Sequence, residues 1–253
     1  MARSFTTTSS QYLSYGASVL GASGTPPYTI ALWFKPTSGT AGRSLVAMAD
    51  TAVTNVYTAL SYDDLANTFL AATRGSGGLN YATKAVPAEA VWLHGCGVFA
   101  STSSRIAYVN GVAGTENTVT TTMSGLDNTT IGALVRTSVA GYMDGSMAEV
   151  AVWSAALSGA EVAALADGVS PLMVRPGELL SYWPLMGRTS PEIDLIGGAH
   201  MTLNGSPPQD AHPPMRYPGR VQAWTYGAAA PAGLAAHPFF GGGAAANPIW
   251  GYA

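Results

Sequence analysis

Apolar and polar residues alternate with a period of two in short runs along the first two hundred positions. In Tyr28 to Pro36, YTIALWFKP, Ile30, Leu32 and Phe34 fall on one side and Thr29, Ala31, Trp33 and Lys35 on the other. Such alternation in β-branched and aromatic residues predicts a strand, and Pro36 closes it because proline cannot donate to a ladder. Ser44 to Asp50, Asn67 to Arg74, Val91 to Ser101, Arg105 to Val112, Thr129 to Val135 and Ser146 to Ala156 read the same way, bounded by turn residues. The Asn110-Gly111 pair is a hairpin signal, since both central residues of a type I′ turn need positive φ. Many short strands at close intervals predict an antiparallel β-sandwich over a parallel α/β sheet.

One segment breaks the period. Leu157 to Gly168 opens on Ser158 with Glu161 three residues on, a capping box, and Val162, Leu165 and Val169 recur at helical spacing. Beyond it, Glu178 to Leu185 and His200 to Gly205 again look extended and are expected to close the sandwich. From Pro207 the chain turns to Pro, Ala and Gly, and no Asp, Glu, Lys or Arg follows Arg220. A density of Pro and Gly this high predicts no regular core element. The expected organisation is a sandwich over residues 1–206 and an extended arm over 207–253.

Composition sharpens the picture through charge. Charged residues make up 10% of the chain, against about 25% in an ordinary soluble domain. A surface so poor in charge is expected to be covered, which points to a homo-oligomer or a larger assembly. No run approaches the roughly 20 apolar residues of a spanning helix, so no membrane role is expected. The opening MARSFTTTSSQYLSYG lacks an apolar core, so no secretory signal is expected either. The net charge of −3, with 11 Lys and Arg scattered singly, argues against nucleic acid. Cys96 stands alone, which leaves no disulfide framework.

The segments ALWFKPTSGTAGRSLV, VWLHGCGVF, RIAYVNGV, TTIGA and GYMDGSMAEVAVWSAALSGAEVAAL occur in an order that resembles the laminin G-like, concanavalin A-like jelly rolls over about 28–165. The resemblance implies two curved antiparallel sheets stacked face to face. Its members are lectins, adhesion modules, glycan hydrolases or parts of virions, so fold alone does not decide the function. The later RPGELLSYWPLMGRTSPEIDLIGGAHMTLNG is similar to additional strands that follow this domain in tailed-phage proteins.

Glycoside hydrolysis needs two facing carboxylates, and the hydrolases of this fold carry them as E-x-D-x-x-E. The chain has no such run: Glu149 is followed at same-face positions by Ala151 and Trp153, and the adjacent Asp63 and Asp64 would point to opposite faces of a strand. No G-x-S-x-G elbow accompanies His94, His200, His212 or His237. No catalytic residue and no cofactor is expected. Calcium would need six to eight converging oxygens, and Asp50, Asp63, Asp64, Asp127 and Asn128 supply only isolated loop oxygens, so at most a weak calcium site is left open.

Binding is then the expected chemistry. Tyr57, Tyr62, Tyr81 and Tyr142 read as loop-proximal aromatics able to stack on sugar rings, whereas Trp33, Trp92, Trp153 and Trp183 sit at core-like strand positions. Trp224, Tyr226, Phe239, Phe240, Trp250 and Tyr252 decorate the uncharged arm. Disordered tails are ordinarily poor in aromatics, so this arm is expected to dock on a neighbouring subunit or another protein. The leading expectation is a non-catalytic virion component, a phage capsid decoration or cement protein whose partners are capsid or tail proteins. The alternative is a glycan-binding adhesin.

Overall fold

The computed structural model describes residues 1–37 and 42–217, and the compact unit they form runs Met1–Pro218. Its first sheet contains, in spatial order, Val112–Ala113 (β10), Ser104–Val109 (β9), Leu93–Ser101 (β8), Tyr28–Pro36 (β3), Gly145–Trp153 (β14), Ala2–Phe5 (β1) and Gln209–Asp210 (β17), with Leu179–Trp183 (β15) also on β14. The second contains Thr202–Asn204 (β16), Tyr12–Tyr15 (β2), Asn128–Ile131 (β11), Gly42–Ala49 (β4), Tyr57–Asp63 (β5), Thr68–Gly75 (β6) and Gly78–Ala85 (β7). Every pairing within the two sheets is antiparallel. A small hairpin, Leu134–Val135 (β12) with Val139–Ala140 (β13), stands apart from both.

The alternation of β3 is resolved as the sequence predicts. Ile30, Leu32 and Phe34 enter the core between the sheets with Leu60, Tyr62, Phe69 and Trp183. Ala31 joins a second cluster on the outer side of the first sheet, and Trp33 joins another with Ala2 and Ala148. That outer side is covered by the helix Gly159–Ala166 (α1), whose Val162 and Leu165 pack with Cys96, Trp153 and Tyr182. Double-sided burial explains why all nine residues of β14 are buried. Ser158 accepts from the Glu161 backbone N–H and Glu161 reaches back to the Ser158 N–H at 2.7 Å, so the capping box forms. Asn110 and Gly111 take φ of 49° and 77°, the left-handed pair that the β9–β10 turn needs.

Two departures from the sequence reading matter. Residues 207–217, expected to belong to an arm, pack on the sandwich instead, because β17 pairs with β1 and Val169 bridges Arg216 in parallel; the rest of the expected arm lies outside the described residues. Proline does not prevent this: the ladder needs only Gln209 and Asp210, on an edge strand where flanking prolines cost no donor that a neighbour requires. The second departure is the middle of β14. Its first half pairs with β1 and its second half with β15, and the register shifts between Ala148 and Ala151. Glu149 sits at the switch with φ of 56°. A bulge re-aims a side chain, and here it is a carboxylate that is turned.

A trough on the outer face of the second sheet

Among the described residues no helix covers the second sheet, and its outer face is paved with short side chains. Thr202, Ser14, Thr130, Ala47, Ala59, Ala72 and Tyr81 are consecutive cross-strand partners, one per strand, from β16 to β7. Residues in register share a face, so this row is a low floor that ends at an exposed tyrosine. The β12–β13 hairpin lies over one part of it as a wall. It is tied down where the Ser44 N–H donates to the Gly141 carbonyl at 2.8 Å and where Asn128 Nδ2 donates to the Val135 carbonyl at 3.0 Å.

Beside this row, under the same wall, lies an open trough of about 270 Å³, with Ser44, Ser61, Asp63 and Leu70 from the sheet and Leu134, Arg136 and Ala140 from the hairpin. Arg136 Nη1 donates to the Thr54 carbonyl at 2.8 Å, and its guanidinium lies 5.5 Å from the centre of the Tyr57 ring. That cation–π contact fixes the planar cation. Arg136 Nε and Ser44 Oγ are both buried without a hydrogen-bond partner. Asp63 Oδ1 accepts from the Leu65 and Ala66 N–H groups, which holds the carboxylate at the rim. Past Gly141, Tyr142 and Tyr12 pair with ring centres 6.2 Å apart. An apolar floor with a few fixed polar groups is the ordinary make-up of a small-molecule site.

The tyrosines named from the sequence are not gathered into one site. Tyr62 is wholly buried, a correction to its expected role: it belongs to β5, its ring joins the core, and its hydroxyl donates to Glu89 Oε1 at 2.9 Å with the Asn67 side-chain amide 3.0 Å away. Tyr57, also in β5 and not in a loop, is 8% exposed and supports Arg136. Tyr81 is open at the end of the floor, and Tyr142 is half-buried beside the hairpin. Trp224, Tyr226, Phe239, Phe240, Trp250 and Tyr252 lie outside the described residues. Arg136 escaped the sequence reading because nothing local marks it; only its position on a hairpin above an alanine floor gives it meaning.

The redirected Glu149 forms a second polar cluster. Its Oε2 accepts from the Tyr182 hydroxyl at 2.6 Å, and Oε1 lies 2.9 Å from both the Tyr217 hydroxyl and His212 Nε2. Burial, reinforced by this carboxylate, pushes the Tyr182 and Tyr217 phenols well above their ordinary range. The Glu149 side chain is only 1% exposed, so the cluster is a clasp that holds residues 212–217 against the first sheet. His212, which the sequence left without a catalytic partner, is a member of this clasp. His94 is buried on β8 with its ring edge-on to Trp33, and burial pushes it down to about 3. The oxygens weighed for calcium are spoken for locally: Asp127 accepts from Thr51 and Asn128 from the Ala49 N–H. Among the described residues no group of three or more His, Cys, Asp or Glu side chains gathers.

Two sheets, one helix on the outer side of the first and a walled trough on the second define a jelly-roll sandwich of the lectin type. The chain belongs to the concanavalin A-like lectin/glucanase superfamily, whose Laminin_G_3 model matches residues 7–163. Solved structures agree on the fold. The CBM40 of the Ruminococcus gnavus IT-sialidase, in that structure bound to α2,3-sialyllactose, superposes with a TM-score of 0.51 at 18% identity, covering 56% of this chain and 83% of that one. A candidate carbohydrate-binding protein from Bacteroides ovatus reaches 0.57 at 20% identity, covering 80% of this chain and 57% of that one. No curated protein matches the chain.

Proposed function

We propose that this protein is a non-catalytic glycan-binding module and that the trough beneath the β12–β13 hairpin holds the sugar. The observation that carries the reading is the trough itself, where two buried unpartnered polar atoms, Arg136 Nε and Ser44 Oγ, border a floor of serine and leucine. A sugar ring offers an apolar face to such a floor and hydroxyls to such atoms. The lectin-type family and the sugar-binding neighbours support the same reading. A glycan array on the whole protein tests it, with Arg136→Ala as the comparison. Saturable binding to a defined sugar is expected, weakened roughly tenfold or more in the variant, since a hydrogen bond to a charged group contributes about 1.5–3 kcal/mol. No sugar-specific binding, or binding that Arg136→Ala leaves intact, overturns it.

A second reading places the module in a virion, as a capsid decoration protein or a tail adhesin. It is supported by composition: 10% charged residues and six aromatics in the uncharged stretch from Val221 to Ala253. Deleting Pro231 to Ala253 is expected to abolish attachment to a phage shell or to neighbouring copies. Unchanged assembly in a pull-down or sedimentation experiment rejects it.

A further inference from the structure

The end of the sandwich remote from the trough encloses a second cavity, of about 140 Å³, between the two sheets. Arg105 on β9 is 1% exposed and pairs across the strands with Phe99, a core residue, so its side chain turns inward. Its guanidinium donates to neutral acceptors only: Nη1 to Asn117 Oδ1 at 2.5 Å, and Nη2 to the Thr102 and Val119 carbonyls at 3.0 and 2.8 Å. Nε has no partner. Among the described residues no carboxylate forms an ion pair with Arg105, whereas Arg3 and Arg43, the other buried arginines, each have one.

Buried charge is ordinarily paired, so an inward cation held by neutral groups beside a cavity is an incomplete pair. The cavity wall supplies further donors. Thr73 Oγ1, from the facing sheet, is buried and unpartnered. Thr121 Oγ1 accepts from Asn80 Nδ2 at 2.9 Å, which leaves its own hydrogen to give. Arg105, Thr73 and Thr121 all line the space.

We propose that this cavity is a binding site for a small tetrahedral oxyanion of the sulfate or phosphate class, with Arg105 as counter-charge and Thr73 and Thr121 as donors. Such a group arrives either as a free ion or as the sulfate ester of a sugar, and the same donors serve both. The site does not depend on the trough, so failure here leaves the glycan reading standing, and the reverse holds too.

Titration calorimetry of the whole protein with sodium sulfate, against sodium chloride at matched ionic strength, provides the test. Saturable one-to-one sulfate binding is expected in the wild type and in Arg136→Ala. The nearly isosteric Thr73→Val, which keeps the packing, is expected to weaken it about tenfold, the effect of one lost hydrogen bond to an anion. Arg105→Gln is expected to abolish it, with circular dichroism checking the fold. A sulfated monosaccharide that binds more tightly than sulfate, and loses that affinity in Thr73→Val, identifies the ester as the source; equal or weaker binding identifies the free ion. Absence of saturable sulfate and phosphate binding, or binding unchanged in Thr73→Val, overturns the proposal.

Discussion

His94 shows how one residue couples the interior to pH. Its imidazole is buried on β8, Nδ1 has no partner, and its proton affinity is pushed down to about 3. Between pH 6.5 and that value the unfolded chain takes up a proton that the folded chain refuses. The stability is therefore complete above pH 6.5 and is lost as pH falls, by about 1.4 kcal/mol per unit at the steepest. Urea unfolding at pH 7 and pH 5 is expected to show the loss, and His94→Gln is expected to remove that part of the slope. The sequence marks His94 as an interior strand residue. Glu149 was legible only as a lone acid, because its role depends on a bulge, and the pairing switch from β1 to β15 that creates the bulge has no local signature. Its three donors come from 33 to 68 residues away.

At the scale of elements, β8 explains its own glycines. A Cβ on Gly97 would come within 2.6 Å of Leu60 and 3.0 Å of Ala71, and one on Gly95 within 2.5 Å of Phe69. The glycines flanking Cys96 thus let side chains of the facing sheet reach the backbone of β8. Gly97→Ala is expected to destabilise by about 1–3 kcal/mol through overpacking, read as a lower denaturation midpoint with an unchanged slope. Elements with strong local chemistry were plain in the sequence: β3 from its alternation, α1 from its capping box, the β9–β10 turn from Asn110-Gly111. The strands β1, β2, β5 and β7 were not, and β5 misled most. Tyr57 and Tyr62 looked like loop aromatics because YTALSYD mixes small and polar residues on the face that turns out to floor the trough. An outer face of small and polar residues is the very pattern that hides a strand.

For the whole molecule, the fold class was readable and the boundary of the compact unit was not. Residues 207–217 look like linker by composition, yet they supply β17, His212, Met215 and Tyr217 to the first sheet and its outer clusters. A chain ending at 206 leaves Glu149 buried without two of its donors. It is expected to be about 3–5 kcal/mol less stable than one ending at 218, measured by denaturant unfolding of the two truncations side by side.

The pairing of β1 with β17 carries a consequence for biosynthesis. Ala2 lies opposite Asp210, so β1 leaves the ribosome well before the strand that covers its outer edge. Until then that edge is an open template for another nascent chain. Completion of this edge must wait for the whole stretch between the two strands, and slow or crowded translation of that stretch is when this protein is most exposed to mispairing with its own copies.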